Sequence, residues 1–364
     1  MKIATIISYL ESIAHPSLQE SYDNAGLITG HSDWNCSGIL ISLDVTEEVV
    51  NEAVSKKCNL IVAHHPIIFS GLKKINGKNY VERTVIGAIK NDIAIYAIHT
   101  NLDNILTGVN GKIAQLLSLT NCSILSPKNN ALKKLFTFAP VDKAEEVRNA
   151  IFQAGGGQIG NYSECSFNAE GIGTFKAGDY TNPYVGKQGE RHYEKEIKIE
   201  VIFPAYLETG IINAMKSTHP YEEVAYDIVN LSNQYQSIGS GIIGELEESM
   251  DEKSFLSLIK NIFKTPVVKH TQLKGRLVKK VALCGGAGSF LIGVAIAAGA
   301  DFYITADMKY HEFFDTNGKL VIADIGHYES EQFTIDLLQE VLAQKFPTFA
   351  VLKTAVITNP VKYF

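Results

Sequence analysis

The stretch NLIVAHHPIIFSG, residues 59–71, sets a short apolar run against two adjacent histidines and a proline. The run reads as a buried strand that surfaces at His64 and His65. In an extended backbone consecutive side chains point to opposite sides. Pro66 biases His65 itself toward that extended form. Two such histidines do not naturally converge on one ion, but they can reach two ions lying on either side of the strand end.

Working outward, the first third of the chain alternates strand and helix patterns. GILISLD (38–44) is a second buried strand. VTEEVVNEAVSKK follows with Val49, Val50, Ala53 and Val54 at helical spacing, and Asp44 with Glu47 reads as its capping box. After the histidines come a helix (YVERTVIGAIKND), a strand running through IAIYAIHTNLD (93–103) and a helix (GVNGKIAQLLSL). This grammar predicts βαβ units and a mostly parallel sheet. The last third repeats it: KKVALCGG, SFLIGVAIAAGA, DFYIT, then KLVIADIGHYESE running into a helix. Aligning the thirds pairs ILISLD and NLIVAHHP with VALCGG and DFYITADM, which reads as a degenerate internal duplication.

The middle differs. SPKNN (126–130) and LSNQYQSIGSG (231–241) are polar and turn-rich, as boundaries are. Between them the order strand, helix, strand, strand, helix, strand is the ferredoxin-like pattern. The expected architecture is an α/β class core domain built from both chain ends, residues 1–126 and 237–364. An α+β domain, residues 127–236, is inserted in it.

Open α/β sheets gather ligands outside the carboxyl ends of their strands. Those ends carry His64 and His65, then Asp103, then His327 with Glu331 four residues on. His327 and Glu331 share a helical face at that spacing. Imidazole and carboxylate donors without thiolate suit zinc, iron, manganese or nickel. Five ligands are few for two separate sites but enough for a pair of divalent ions bridged by a carboxylate and a water. A lone strand-end histidine is more often a structural hydrogen-bonder; the joint occurrence of the set is what favours a dinuclear centre.

Six ordered motifs carry a resemblance: YDNAGL (22–27), AHHPIIF (63–69), HTNLD (99–103), GGAGS (285–289), ITADMKYHEF (304–313) and GHYESE (326–331). Together they resemble the Nif-three-like dinuclear metal-centre family, whose members are usually labelled GTP cyclohydrolase 1 type 2 homologues. AGGGQIGNYSECSF, NPYVGKQGE and HPYEEVAYDI resemble the PII/CutA-like insertion of its longer bacterial members. The resemblance implies His64, His65, Asp103, His327 and Glu331 as ligands, with Glu331 bridging. It also implies a hexameric toroid of two stacked trimers, and it places Asp23 and Asn24 near the metals; a turn or capping role is the plainer reading of those two.

Other signals are weaker. CGGAGSF follows a strand and opens a helix, so amides around Gly286 and Ser289 could hold an anion. It lacks the Lys-Ser/Thr of a P-loop, and a tight strand–helix turn explains it as well. His99 is a proton shuttle or outer partner of the ligands, or else a satisfied core histidine. His311 lies toward the same strand ends and is read as touching substrate or the ligands' surroundings. HPYEE (219–223) invites a second metal site, yet Pro220 is an ordinary helix stop.

Composition bounds the alternatives. The 364 residues exceed one usual core, and a formal charge of −6 gives no general pull toward nucleic acid or anionic membrane. Five cysteines without a CxxC pair read as buried thiols in a reducing compartment, so a cytoplasmic protein is expected. No apolar run is long enough to span a bilayer. Two function classes follow. One is a metal-dependent hydrolase of a nucleotide, cyclic or phosphoester small molecule, with Glu331 and His99 in catalysis. The other is a regulatory or metal-delivery protein whose insertion senses a small ligand.

Overall fold

The apolar runs become short strands with no solvent side. Ile39–Ser42, Leu60–Ala63 and Ala94–Ala97 are each buried at all four positions in the computed structural model, which describes residues 1–364. Parallel strands covered on both faces need no polar alternation. The chain divides into two compact units: Met1–Pro127 with Gln236–Phe364, and Lys128–Tyr235.

The first unit contains two sheets. One has the spatial order Gly26–Thr29, Ala94–Ala97, Leu60–Ala63, Ile39–Ser42, Val351–Lys353. The last four strands are parallel and Gly26–Thr29 runs antiparallel at the edge. Helix Glu47–Ser55 contributes Val49, Val50 and Ala53, and helix Tyr80–Lys90 contributes Val85 and Ala88, to a core with Leu40, Ile61 and Ile95. Val54, expected on the buried stripe, is 44% exposed. It falls about 140° around the helix from Val49, past the stripe's edge. The expected capping box does not form either. Thr46 caps this helix by accepting from the Val49 amide, while Asp44 is held by His65 and Thr358.

The second sheet runs Lys269–His270, Val321–Asp324, Phe302–Ala306, Leu277–Ala287, Gly239–Asp251, Leu119–Pro127. Leu277–Ala287, Phe302–Ala306 and Val321–Asp324 are parallel, in the same order as Ile39–Ser42, Leu60–Ala63 and Ala94–Ala97; the flanking strands are antiparallel. The strand expected over 93–103 ends early, at Ala97. His99 takes φ +30°, which turns the chain out of extended backbone and starts the helix His99–Asp103.

In the second unit, Leu132–Pro140, helix Ala144–Gln153, Phe167–Lys176, Arg191–Pro204, helix Glu208–Thr218 and Tyr226–Leu231 follow in order. The sheet order is Phe167–Lys176, Arg191–Pro204, Leu132–Pro140, Tyr226–Leu231, all antiparallel. Ile197, Ile199, Val201 and Phe203 alternate toward a core built with the two helices, leaving Lys198 and Glu200 on the opposite face. All five cysteines are free thiols; Cys122 and Cys165 are half-buried, not interior as expected. No helix is long and apolar enough to cross a membrane.

Candidate metal centre

Three strand ends of the first unit converge. Beyond Leu60–Ala63, the amides of His64 and His65 donate to Ser42 and Leu43, and the carbonyl of His64 accepts from His99. The parallel ladder therefore continues through both histidines and fixes their backbones. The turn after Ala94–Ala97 presents His99 and Asp103. Past Val321–Asp324, Gly326 at φ +92° redirects the chain into the helix His327–Glu331, which puts His327 and Glu331 on one face. A Cβ at Gly326 would meet Glu329 at 2.3 Å, so the turn requires glycine.

Glu331 sits at the centre, with its side chain only 4% exposed. Its Oε2 lies 2.9 Å from His65 Nε2 and 3.0 Å from His327 Nε2; its Oε1 lies 3.9 Å from His64 Nε2. Asp103 Oδ1 is 3.6 Å from His64 Nε2. The adjacent histidines thus reach opposite oxygens of one carboxylate, their rings tilted 49° at 4.7 Å between centroids. Gly286 makes room for Glu331: it holds φ +64°, and a Cβ there would stand 2.4 Å from Oε1.

Carboxylates behind the histidines set their orientation. Asp44 meets His65 Nδ1 at 2.7 Å, Asp307 meets His327 Nδ1 at 2.7 Å, and Asp23 meets His99 Nδ1 at 2.6 Å. This is the arrangement that turns the far ring nitrogen toward a metal and raises its basicity. Burial opposes charge on His65, but Asp44 and Glu331 outweigh it and hold the imidazole up at about 10. The same balance, set by Asp307 and Glu331, lifts His327 to about 11. Burial would raise Glu331, yet the surrounding histidines drive its carboxyl well below the usual range.

The other side of Glu331 is short of positive charge. Burial lowers His64, and burial together with the Glu331 charge lifts Asp103 to about 8. Both ring nitrogens of His64 and Oδ1 of Asp103 are buried without a hydrogen-bond partner. Such orphaned groups are costly and rare in native proteins. A divalent cation between them would satisfy His64 Nε2 and Asp103 Oδ1, and the nitrogen and oxygen donors match zinc, iron, manganese or nickel. Two sets, His64–His65–His99 and His65–His327–Glu331, each bring three ligand atoms within 4.8 Å of one another. Cys284 is not a competing donor, since burial pushes its thiol far up and keeps it protonated.

The remaining sequence candidates fall differently. The Asp23 carboxylate is buried and spent on His99 and Thr100, and Asn24 donates to the Ile68 carbonyl, so both build the loop that fixes His99. The amides of Gly285 and Gly286 donate to Asn110 and Ser330, which leaves neither for the anion considered for this loop. Ser289 donates to Glu312. His311 is exposed and stacks against Tyr310 and Phe314 instead of joining the cluster. Asp44 and Asp307 were missed as partners of the histidines. Both follow buried strands, at Ser42 and Ala306, so the strand-end rule that found the histidines would also have found them.

Beside the cluster opens a cavity of about 820 Å³ reached by His65, His99 and His327. Phe69, Tyr80 and Tyr328 line it, as do Thr358, Asn359 and Tyr363 of the C-terminal segment. Lys269 at its wall is paired to Asp324 at 2.6 Å.

Sequence comparison places these features in a family. The family described as Duf34/NIF3 (NGG1p interacting factor 3) matches residues 1–360. A Halalkalibacterium halodurans protein named GTP cyclohydrolase 1 type 2 homolog is 38% identical over 99% of both chains. A Bacillus subtilis protein of the same name is 39% identical over 89% of this chain and 87% of that one. The crystal structure of a Bacillus cereus protein related to NIF3 superposes with a TM-score of 0.87 at 38% identity, covering 100% of this chain and 99% of the other. The chain belongs to the Duf34/NIF3 family.

Proposed function

We propose that the protein is a metal-dependent hydrolase whose centre holds two divalent ions on His64, His65, Asp103, His327 and Glu331. The observation that carries this is the division around Glu331: His64 and Asp103 face one carboxylate oxygen, His65 and His327 the other. Bound there, two ions would supply hydroxide at neutral pH and polarise an electrophile. Glu331 holds the halves together as the shared ligand. Asp44 and Asp307 keep Nε2 of His65 and His327 turned inward. His99, anchored through Nδ1 by Asp23, presents Nε2 to the cavity and is placed to relay a proton. The aromatic walls at Phe69, Tyr80 and Tyr328 suit a flat ring such as a nucleobase or pterin, in keeping with the cyclohydrolase name of the relatives. Asp23 and Asn24 act through the loop that fixes His99, while Gly286 and Ser289 support the centre from the neighbouring loop; His311 would contact only a substrate extending past the cavity.

Three further readings accompany this one. The two parallel strand triplets form a duplicated core, residues 1–126 and 237–364. The segment 127–236 is a ferredoxin-like, PII/CutA-like insertion. The chain works as a trimer-based hexamer in the cytoplasm. The deciding experiment reloads purified protein with Mn, Fe, Ni or Zn and screens nucleotides, cyclic nucleotides and phosphoesters. Turnover that disappears in Glu331→Gln supports hydrolysis; turnover surviving that change overturns the assignment. Metal that binds without turnover and passes readily to an acceptor protein selects the delivery reading.

A further inference from the structure

The HPYEE segment has a different use from the metal site it suggested. His219 is buried, with Nε2 on the Phe138 carbonyl at 3.0 Å and Nδ1 accepting from the Tyr221 amide at 3.2 Å. With both ring nitrogens engaged, His219 has no lone pair for a metal. What it does is fix Tyr221, whose hydroxyl donates to Glu196 at 2.8 Å. Glu196 is itself nine-tenths buried.

Tyr221 and Glu196 edge a cavity of about 620 Å³ in the second unit. Its floor is the sheet face opposite the helices. Gly171 pairs with Glu196 across the strands, and Phe175 with His192. Gly173 leaves the space Glu196 occupies: a Cβ there would stand 2.0 Å from Oε2. Phe138, Phe175, Tyr184 and Tyr221 form the walls, with Tyr221 centred 6.2 Å from Phe175 and 6.3 Å from Tyr184. Four glutamates line the cavity against two lysines. Of the lysines, Lys198 is tied to Glu200 at 2.8 Å and rests over Phe136 at 4.6 Å, and Lys176 is exposed.

The geometry points to a binding site for a small alkylammonium ion: a deep carboxylate, Glu196, at the base of an aromatic enclosure with surplus negative charge. A cation within about 6 Å of aromatic faces is attracted by the ring quadrupoles, and it gains most where water is excluded. The carboxylate supplies a charge-assisted acceptor. The volume lies in the range of ordinary small-molecule sites. An inorganic metal ion would find a single deep carboxylate and no free imidazole. A phosphate would meet the glutamates.

The test is calorimetric titration of the full chain with putrescine, against 1,4-butanediol as neutral isostere and inorganic phosphate as anion. Putrescine is expected to bind saturably with a Kd below about 1 mM, and the other two are not. Glu196→Gln should weaken putrescine by about 10- to 100-fold; its amide oxygen can still accept from Tyr221, so the fold is kept. Phe175→Leu, on a different strand, should weaken it by about 3- to 10-fold. Metal content should be unchanged in both variants. The site is overturned if putrescine gives no saturable heat, if butanediol or phosphate binds as well, or if Glu196→Gln leaves the affinity unaltered.

Discussion

His64 and His219 are both buried histidines next to a proline-containing turn, and they have opposite surroundings. His219 has a partner for each ring nitrogen; His64 has none for either. A buried polar group is stable only when its hydrogen-bonding capacity is filled. The filled ring is therefore a structural brace, and the unfilled one marks where something else binds. As local motifs HHP and HPYEE are alike, each setting histidine near proline, and only the other strand-end residues favour the first as a metal site. The difference lies in what folds around them.

The largest expected effect breaks the comparison on the His64 side. His64→Gln should lower metal affinity by about 100-fold or more, because an imidazole donor is lost from a buried set. Metal content by mass spectrometry after dialysis at fixed free metal checks this. The metal-free variant should be about as stable as the metal-free parent, since one unpartnered polar side chain replaces another. The thermal stabilisation produced by added metal should vanish with the affinity. Wild-type metal content in this variant would remove His64 from the site.

Next come the carboxylates behind the imidazoles. Asp44→Asn and Asp307→Asn should each cost about 10- to 100-fold in metal affinity through loss of orientation and basicity at His65 and His327. Competition with a chromogenic chelator measures it. Asp23→Asn, which acts through His99, should spare metal affinity and lower turnover, so the three substitutions separate metal holding from proton relay.

Much of this site was legible from strand endings alone. LIVA before HHP and VIAD before the HxxxE helix announce buried parallel strands, and ligands cluster where such strands end. The spacing of His327 and Glu331 survived folding because a single helical turn fixes it. Other relations were hidden because they depend on distant contacts. Asp44 looked like a cap for its own helix, yet it is bound by His65 and by Thr358, 314 positions away. His99 looked like the continuation of a strand, and its positive φ follows from the Asp23 loop that grips it. The Gly285–Gly286 amides looked available and are consumed by Asn110 and Ser330. Local pattern carries element type and side; it carries no information on which donor a distant side chain will take.

On the other side of the comparison, His219→Ala should leave metal content at the parent level. It should cost about 1–3 kcal/mol of stability by stranding the Phe138 carbonyl and the Tyr221 amide. Chemical denaturation with metal analysis on the same preparation reads both. Lost metal with unchanged stability would reverse the roles assigned to the two histidines.

The smallest effect is a pH dependence centred on His219. Burial lowers its pKa, so the folded protein favours the neutral ring that accepts from Tyr221. The unfolded chain titrates near the ordinary value of about 6.5. Above that pH both states are neutral and the contribution is complete. Below it the unfolded state takes up the proton first, so stability falls as pH drops toward the lowered folded value. Protonation also turns Nδ1 from acceptor to donor, which removes the acceptor for the Tyr221 amide. The protection factor of the Tyr221 amide should therefore fall as pH drops below about 6.5, its exchange slowing by less than the intrinsic rate does, and His219→Gln should abolish that difference. A Tyr221 amide whose protection is indifferent to pH in the parent would show that His219 is not the brace the geometry describes.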